Sequence, residues 1–109
     1  MSTQKASSND ILNLLRERDK THGNYQTLSM RSQHLKDIVR DCPGWSQIPD
    51  PGKEAIEMIL LKISRIVNGD PWNMDSWQDI AGYAMLARMA LVNDNKAAEE
   101  AYYGDEEEA

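Results

Sequence analysis

Lys62 and Arg65 stand three residues apart in one apolar segment of the chain, and Asp79 stands in the next, one turn beyond Asp75. At that spacing the two cations share a helix face, and a carboxylate set among apolar residues needs a partner. Three chemistries fit. Asp79 can pair with Lys62 or Arg65 across the helices as a structural salt bridge. The cations can instead hold a phosphorylated ligand, Arg65 with its planar fork and Lys62 as a mobile point charge, while Tyr83, Trp72 or Trp77 lies against a base. Or Glu54, Glu57, Asp75 and Asp79 can hold Mg²⁺ through water and bridge it to phosphate oxygens, the set a metal-dependent hydrolase needs. The residues alone leave the three open, and no side chain is assigned a catalytic role.

Other chemistry is thinly represented. His22 and His34 are far from the acid set in sequence, which argues against a histidine-rich metal site. Cys42 is the single cysteine, with Asp41 and Pro43 beside it and no activating cation, so it reads as a plain thiol. No glycine-rich phosphate loop, nucleophile elbow or dinucleotide fingerprint occurs. The run Thr21-His22-Gly23-Asn24-Tyr25 reads as a helix-to-helix turn, with free N–H groups after the glycine that can also meet an anion.

The elements that must position these groups are helical. A first helix opens at Asn9 or Asp10 and runs to the Thr21–Asn24 interruption; a second runs from about Tyr25 to Asp41. Three prolines and a glycine between Cys42 and Pro51 mark a loop pinned by Trp45 and Ile48. The third helix starts with Asp50 as cap and Pro51 at the first helical position, and Asn68-Gly69 ends it. Asp75 and Gln78 form a capping-box pattern for a fourth helix that runs to about Ala98 or Tyr103. No strand pattern and no internal repeat interrupts this order. The expectation is an all-α, four-helix domain over 9–103, a flexible start over 1–8 and a disordered acidic tail over 104–109.

On a wheel at ~100° per residue, Ile56, Ile59, Leu60, Ile63, Ile66 and Val67 share an arc expected to be the main core face. Met58 and Leu61 fall among the charges opposite, which asks for a second contact there. The fourth helix is apolar nearly all round, so burial on more than one side is expected. Gly82 within it costs ~1 kcal/mol against alanine and invites a close approach by a backbone or a ligand.

The chain's net charge is -6, part of it in the run Asp105 to Glu108, so no electrostatic footprint for nucleic acid is present. No segment has the length and apolarity of a membrane span or of a signal peptide, and the cytoplasm is the expected compartment. With 109 residues the core is modest, and association with further copies is a natural source of burial.

Taken together, Arg18-x-x-Thr21-His22-Gly23-x-Tyr25, then Met58 to Arg65, then Asp75-Ser76-Trp77-x-Asp79-Ile80-Ala81-Gly82-Tyr83 resemble a family of small phage and prophage proteins of undefined function. More distantly, the layout is similar to the all-α MazG-type nucleoside triphosphate pyrophosphohydrolases. That superfamily binds Mg²⁺ with Glu-x-x-Glu on one helix and Glu-x-x-Asp on a later one, in a dimer or tetramer. Glu54 and Glu57 match the first pair and Asp79 the last acid, but the remaining position falls on Ser76, with Asp75 one residue out of register. The resemblance implies a viral or prophage origin, hence the host cytoplasm, and a MazG-like homo-oligomer. Its expected role is to bind or sequester a phosphorylated nucleotide or nucleotide-derived defence signal. The alternatives are Mg²⁺-dependent pyrophosphohydrolysis and a non-catalytic helical interaction protein.

Overall fold

The computed structural model describes residues 8–108, the side chains of 94–108 excepted. Four helices follow one another: α1 (Ser8–His22), α2 (Tyr25–Arg40), α3 (Asp50–Asn68) and α4 (Met74–Glu108), with a single 3-10 turn, Trp45–Gln47, between α2 and α3. The described residues form no strand. Of the expected flexible start over 1–8, only Ser8 lies within the described residues, where it opens α1. The end of α4 extends over the expected tail as far as Glu108.

Local chemistry accounts for most of the boundaries. Asn24 caps α2 by accepting the Thr27 N–H at 3.1 Å. In the loop, Trp45 and Ile48 are both half-buried, and Lys53 places its ammonium 5.8 Å from the centre of the Trp45 ring. Two starts differ from expectation. At α3 the cap is Pro49, whose carbonyl accepts from Gly52 and Lys53, and Asp50 is already helical without a side-chain capping bond. At α4 the helix begins at Met74, so Asp75 lies in its first turn rather than capping it, still well placed toward the helix dipole.

Gly69 ends α3 as expected, but not by adopting a left-handed conformation, since its φ is -130°. The glycine is required because a Cβ there would lie 2.1 Å from the Thr21 carbonyl oxygen. Gly23, at φ 81°, is both left-handed and equally crowded: its Cβ would lie 2.1 Å from the Asn68 carbonyl oxygen. The α1–α2 turn and the end of α3 are therefore pressed backbone to backbone. Asp70 N–H donates to Thr21 O at 2.7 Å. The Asn68 side-chain amide donates to His22 O at 3.1 Å and Asn24 O at 3.3 Å, while its carbonyl accepts from Arg31 at 2.7 Å. This clamp is what the Thr21–Tyr25 run builds.

α3 is the central helix. α4 packs antiparallel along one side: Lys62, late in α3, reaches Asp79, early in α4, and Gly52 at the start of α3 lies against Leu91. On the wheel this side carries Gly52, Ala55, Ile59, Lys62 and Ile66, all buried except the half-buried Ile59. The opposite side meets α2, where Arg40 bonds Glu57. The expected core face falls between the two contacts. Ile59 and Ile66 turn toward α4, but Ile63 is 37% and Val67 67% exposed. The arc counts apolar residues, whereas the neighbouring helices settle where Gly52, Ala55 and Ser64 let them approach closely.

The result is an open arrangement. Leu28, Ala55 and Ile66 are the buried apolar residues among those described, while Ile11, Leu12, Leu14 and Leu15 of α1 and Met85, Leu86, Met89 and Val92 of α4 are about half exposed or more. No helix among the described residues is long and apolar enough to cross a membrane.

Candidate functional site

Lys62 and Arg65 leave α3 in different directions and meet different surroundings. Lys62 is 9% exposed, and its Nζ stands 2.8 Å from Asp79 Oδ2. The stem of Lys62 is packed between α3 and α4 while its ammonium reaches the half-exposed carboxylate at the edge. Arg65 points to the other side. It lines a half-open cleft of about 760 Å³ between α1, α2 and α3, within the volume range of small-molecule sites.

The cavity wall alternates charge and apolar surface. α1 contributes Leu15, Arg18, Asp19 and His22; α2 contributes Tyr25, Leu28, Ser29, Ser32, Gln33 and Lys36; α3 contributes Leu61 and Arg65. Leu61 thus finds its second contact here, toward α1 and α2. Three permanent cations, Arg18, Lys36 and Arg65, face one acid, Asp19. No carboxylate among the described residues forms an ion pair with Arg65. Its Nε is buried without a hydrogen-bond partner among the described residues, and so is Ser32 Oγ. A buried donor left unpaired costs ~1–3 kcal/mol, so an acceptor brought to either atom would be stabilising.

His22 senses the same field. Its pKa is lowered from 6.5, first by burial and then by the positive charges of Arg65, Lys62 and Arg18. Both effects favour the neutral ring. An anion placed among these cations would cancel the repulsion and favour the imidazolium, adding a further charged donor.

The remaining candidates are dispersed. Trp77 donates its indole N–H to Pro71 O at 3.0 Å, tying the α3–α4 loop to α4. Trp72 is exposed on that loop, its backbone N–H donating to the Asp70 carboxylate at 2.9 Å. Tyr83 is half-buried on α4; neither it nor the two tryptophans lines the Arg65 cavity. Glu57 bonds Arg40, Asp79 bonds Lys62, and Glu54 and Asp75 are exposed. No group of three or more His, Cys, Asp or Glu side chains placed to hold a metal occurs among the described residues.

Sequence reasoning thus named Arg65 as a site residue but not Arg18, Ser32 or Lys36, and singled out the Thr21–Tyr25 turn without placing it against Arg65. A signal was present: Arg18 and His22 are one turn apart, so a helix presents both on one face, and Ser29, Ser32 and Lys36 repeat that spacing on the next helix.

Nothing among curated proteins matches this chain, and no solved structure does. One family does match: Domain of unknown function (DUF6378), over residues 9–91. That span holds α1 to α3, the first half of α4 and every residue that lines the Arg65 cavity. By this match over most of its length, the chain belongs to the DUF6378 family.

Proposed function

We propose that this chain is a phage-type nucleotide-binding protein, a helical homo-oligomer that holds a phosphorylated nucleotide or nucleotide-derived defence signal in the cavity between α1, α2 and α3. The observation that carries the reading is Arg65: a guanidinium whose buried Nε has no partner, on a cavity it shares with Arg18, His22 and Lys36. Phosphate oxygens satisfy such donors, Arg65 and Arg18 by planar forks and Lys36 by its ammonium. Ser32 Oγ supplies a neutral donor, and Leu15, Leu28 and Leu61 keep the local dielectric low enough for the charges to count. Tyr25 at the rim is the aromatic surface for a base, in place of Tyr83 and the tryptophans.

Binding is favoured over hydrolysis by where the acids lie. A MazG-type reaction needs Glu54, Glu57, Asp75 and Asp79 on a shared Mg²⁺, and here Glu57 is engaged by Arg40 and Asp79 by Lys62. The likeness to MazG-type proteins is kept for the helical layout, and sequestration in the host cytoplasm is the role that binding without chemistry supports.

The test is a thermal-shift and calorimetric titration of the full chain with inorganic phosphate and a panel of nucleotides, followed by analysis of what is released unchanged. Arg65→Gln is expected to weaken the best ligand at least tenfold, and Arg65→Lys to restore part of that loss. No shift and no retained nucleotide with any panel member would overturn the reading; release of a cleaved product would replace sequestration with catalysis.

A further inference from the structure

α4 carries more apolar surface than the rest of the chain uses. The face toward α3 holds Ser76, Ile80, Tyr83, Ala87, Ala90 and Leu91, each buried or half-buried. Directly opposite, at spacings of four, three, four and four, stand Gln78, Gly82, Met85, Met89 and Asn93, with Leu86 and Val92 at the edges. Every one of these is exposed. Such a spacing is the seam of a helix pair, and it lies on the side of α4 away from α3.

Gly82 is the second observation. A glycine in mid-helix costs ~1 kcal/mol relative to alanine, and a close neighbour normally explains it. Here a Cβ at Gly82 would meet nothing within 4 Å. No described part of this chain makes the close approach that the residue permits.

We infer that the outer seam of α4 packs antiparallel against the same seam of a second copy, about a two-fold axis between Met85 and Leu86. That axis sets Met89 of each chain over the bare backbone at Gly82 of the other, large against small, at both ends of the contact. One surface supplies both knob and hole, so the occupant that fits is another copy of this chain. This inference rests on the oligomeric part of the reading above and is independent of its ligand.

The experiment is sedimentation equilibrium of the full chain beside Met89→Glu and Gly82→Leu. Wild type is expected to be a dimer or an even-numbered assembly. Each substitution should weaken association at least tenfold, the glutamate by burying charge and the leucine by filling the hole. Circular dichroism checks that the variants keep their helices. Because a substitution can also act through folding, Leu86→Cys in a Cys42→Ser background gives a second readout, in which a short bismaleimide should trap a covalent dimer. A monomeric wild type would overturn both this inference and the oligomeric reading. An unchanged oligomer in both seam variants, or one that Leu86→Cys fails to crosslink, would overturn the α4 seam alone. Arg65→Gln should leave the mass unchanged, so a failed ligand reading is told apart from a failed interface.

Discussion

Lys62 Nζ reaches Asp79 Oδ2 at 2.8 Å from a position that is 11% exposed at its own side chain and 48% at the acid's. The pair is therefore lopsided: the lysine depends on the aspartate more than the reverse. Asp79→Asn should destabilise the chain by ~1–2 kcal/mol, the cost of a buried donor left with a weaker acceptor and reduced by the acid's exposure. The double variant Lys62→Met, Asp79→Leu should recover most of that loss. Urea unfolding of the three proteins measures it, and a double variant no better than Asp79→Asn would show that the pair contributes more than its own neutralisation.

Ser32 offers a trade between stability and binding. Its hydroxyl is buried and unpartnered in the cavity wall, so Ser32→Ala should raise the unfolding free energy of the ligand-free chain by ~1 kcal/mol. The same change should weaken phosphate binding, because one of the donors aimed at the ligand is gone. Denaturation and titration on one preparation check both signs.

His22 makes stability depend on pH. Its folded-state pKa lies below 6.5, so the unfolded chain binds this proton more readily than the folded one. The neutral ring contributes fully above pH 6.5, and stability is lost as pH falls through 6.5 toward the folded value. His22→Gln should flatten that part of the profile. In the presence of phosphate the loss should shrink, since the anion offsets the field of Arg65, Lys62 and Arg18. A profile with the same slope in His22→Gln would place the titrating group elsewhere.

The glycines should separate cleanly by what surrounds them. Gly69→Ala and Gly23→Ala each force backbone apart and should cost ~2 kcal/mol or more, while Gly44→Ala has open space around it and should change stability by under ~0.5 kcal/mol. Chemical denaturation of the three variants is sufficient.

The all-helical architecture was legible because several helix ends carry local signals: Asn24 before the second, Pro51 in the first turn of the third, Gly69 after it. Periodicity also found α4's excess of apolar surface. What it could not do was orient α3. Six large aliphatic residues outvote Gly52, Ala55 and Ser64 on a wheel, yet in space the small residues decide where neighbours lie, and Ile63 and Val67 are left outside. The site was half legible for the same reason. Arg65 and Lys62 share a face in sequence, but α3 lies between two partners, so one cation turns to α4 and the other to α1 and α2. The placement of His22 on the same cleft as Arg65 depends on the Asn68 clamp, and hydrogen bonds across 44 and 46 residues leave no mark on local pattern.

That clamp also constrains how such a sequence can change. Gly23 and Gly69 are each blocked by the main chain of the other's segment, Gly23 by Asn68 and Gly69 by Thr21 and His22. A side chain gained at either position meets a wall that no replacement at the other can remove, since the obstruction is peptide backbone. The two glycines are therefore not a compensating couple that can drift together by paired steps. They form a lock with no intermediate key, and the half of the cavity wall hung from it, His22 and Tyr25, is held in register with Arg65 for as long as the fold persists.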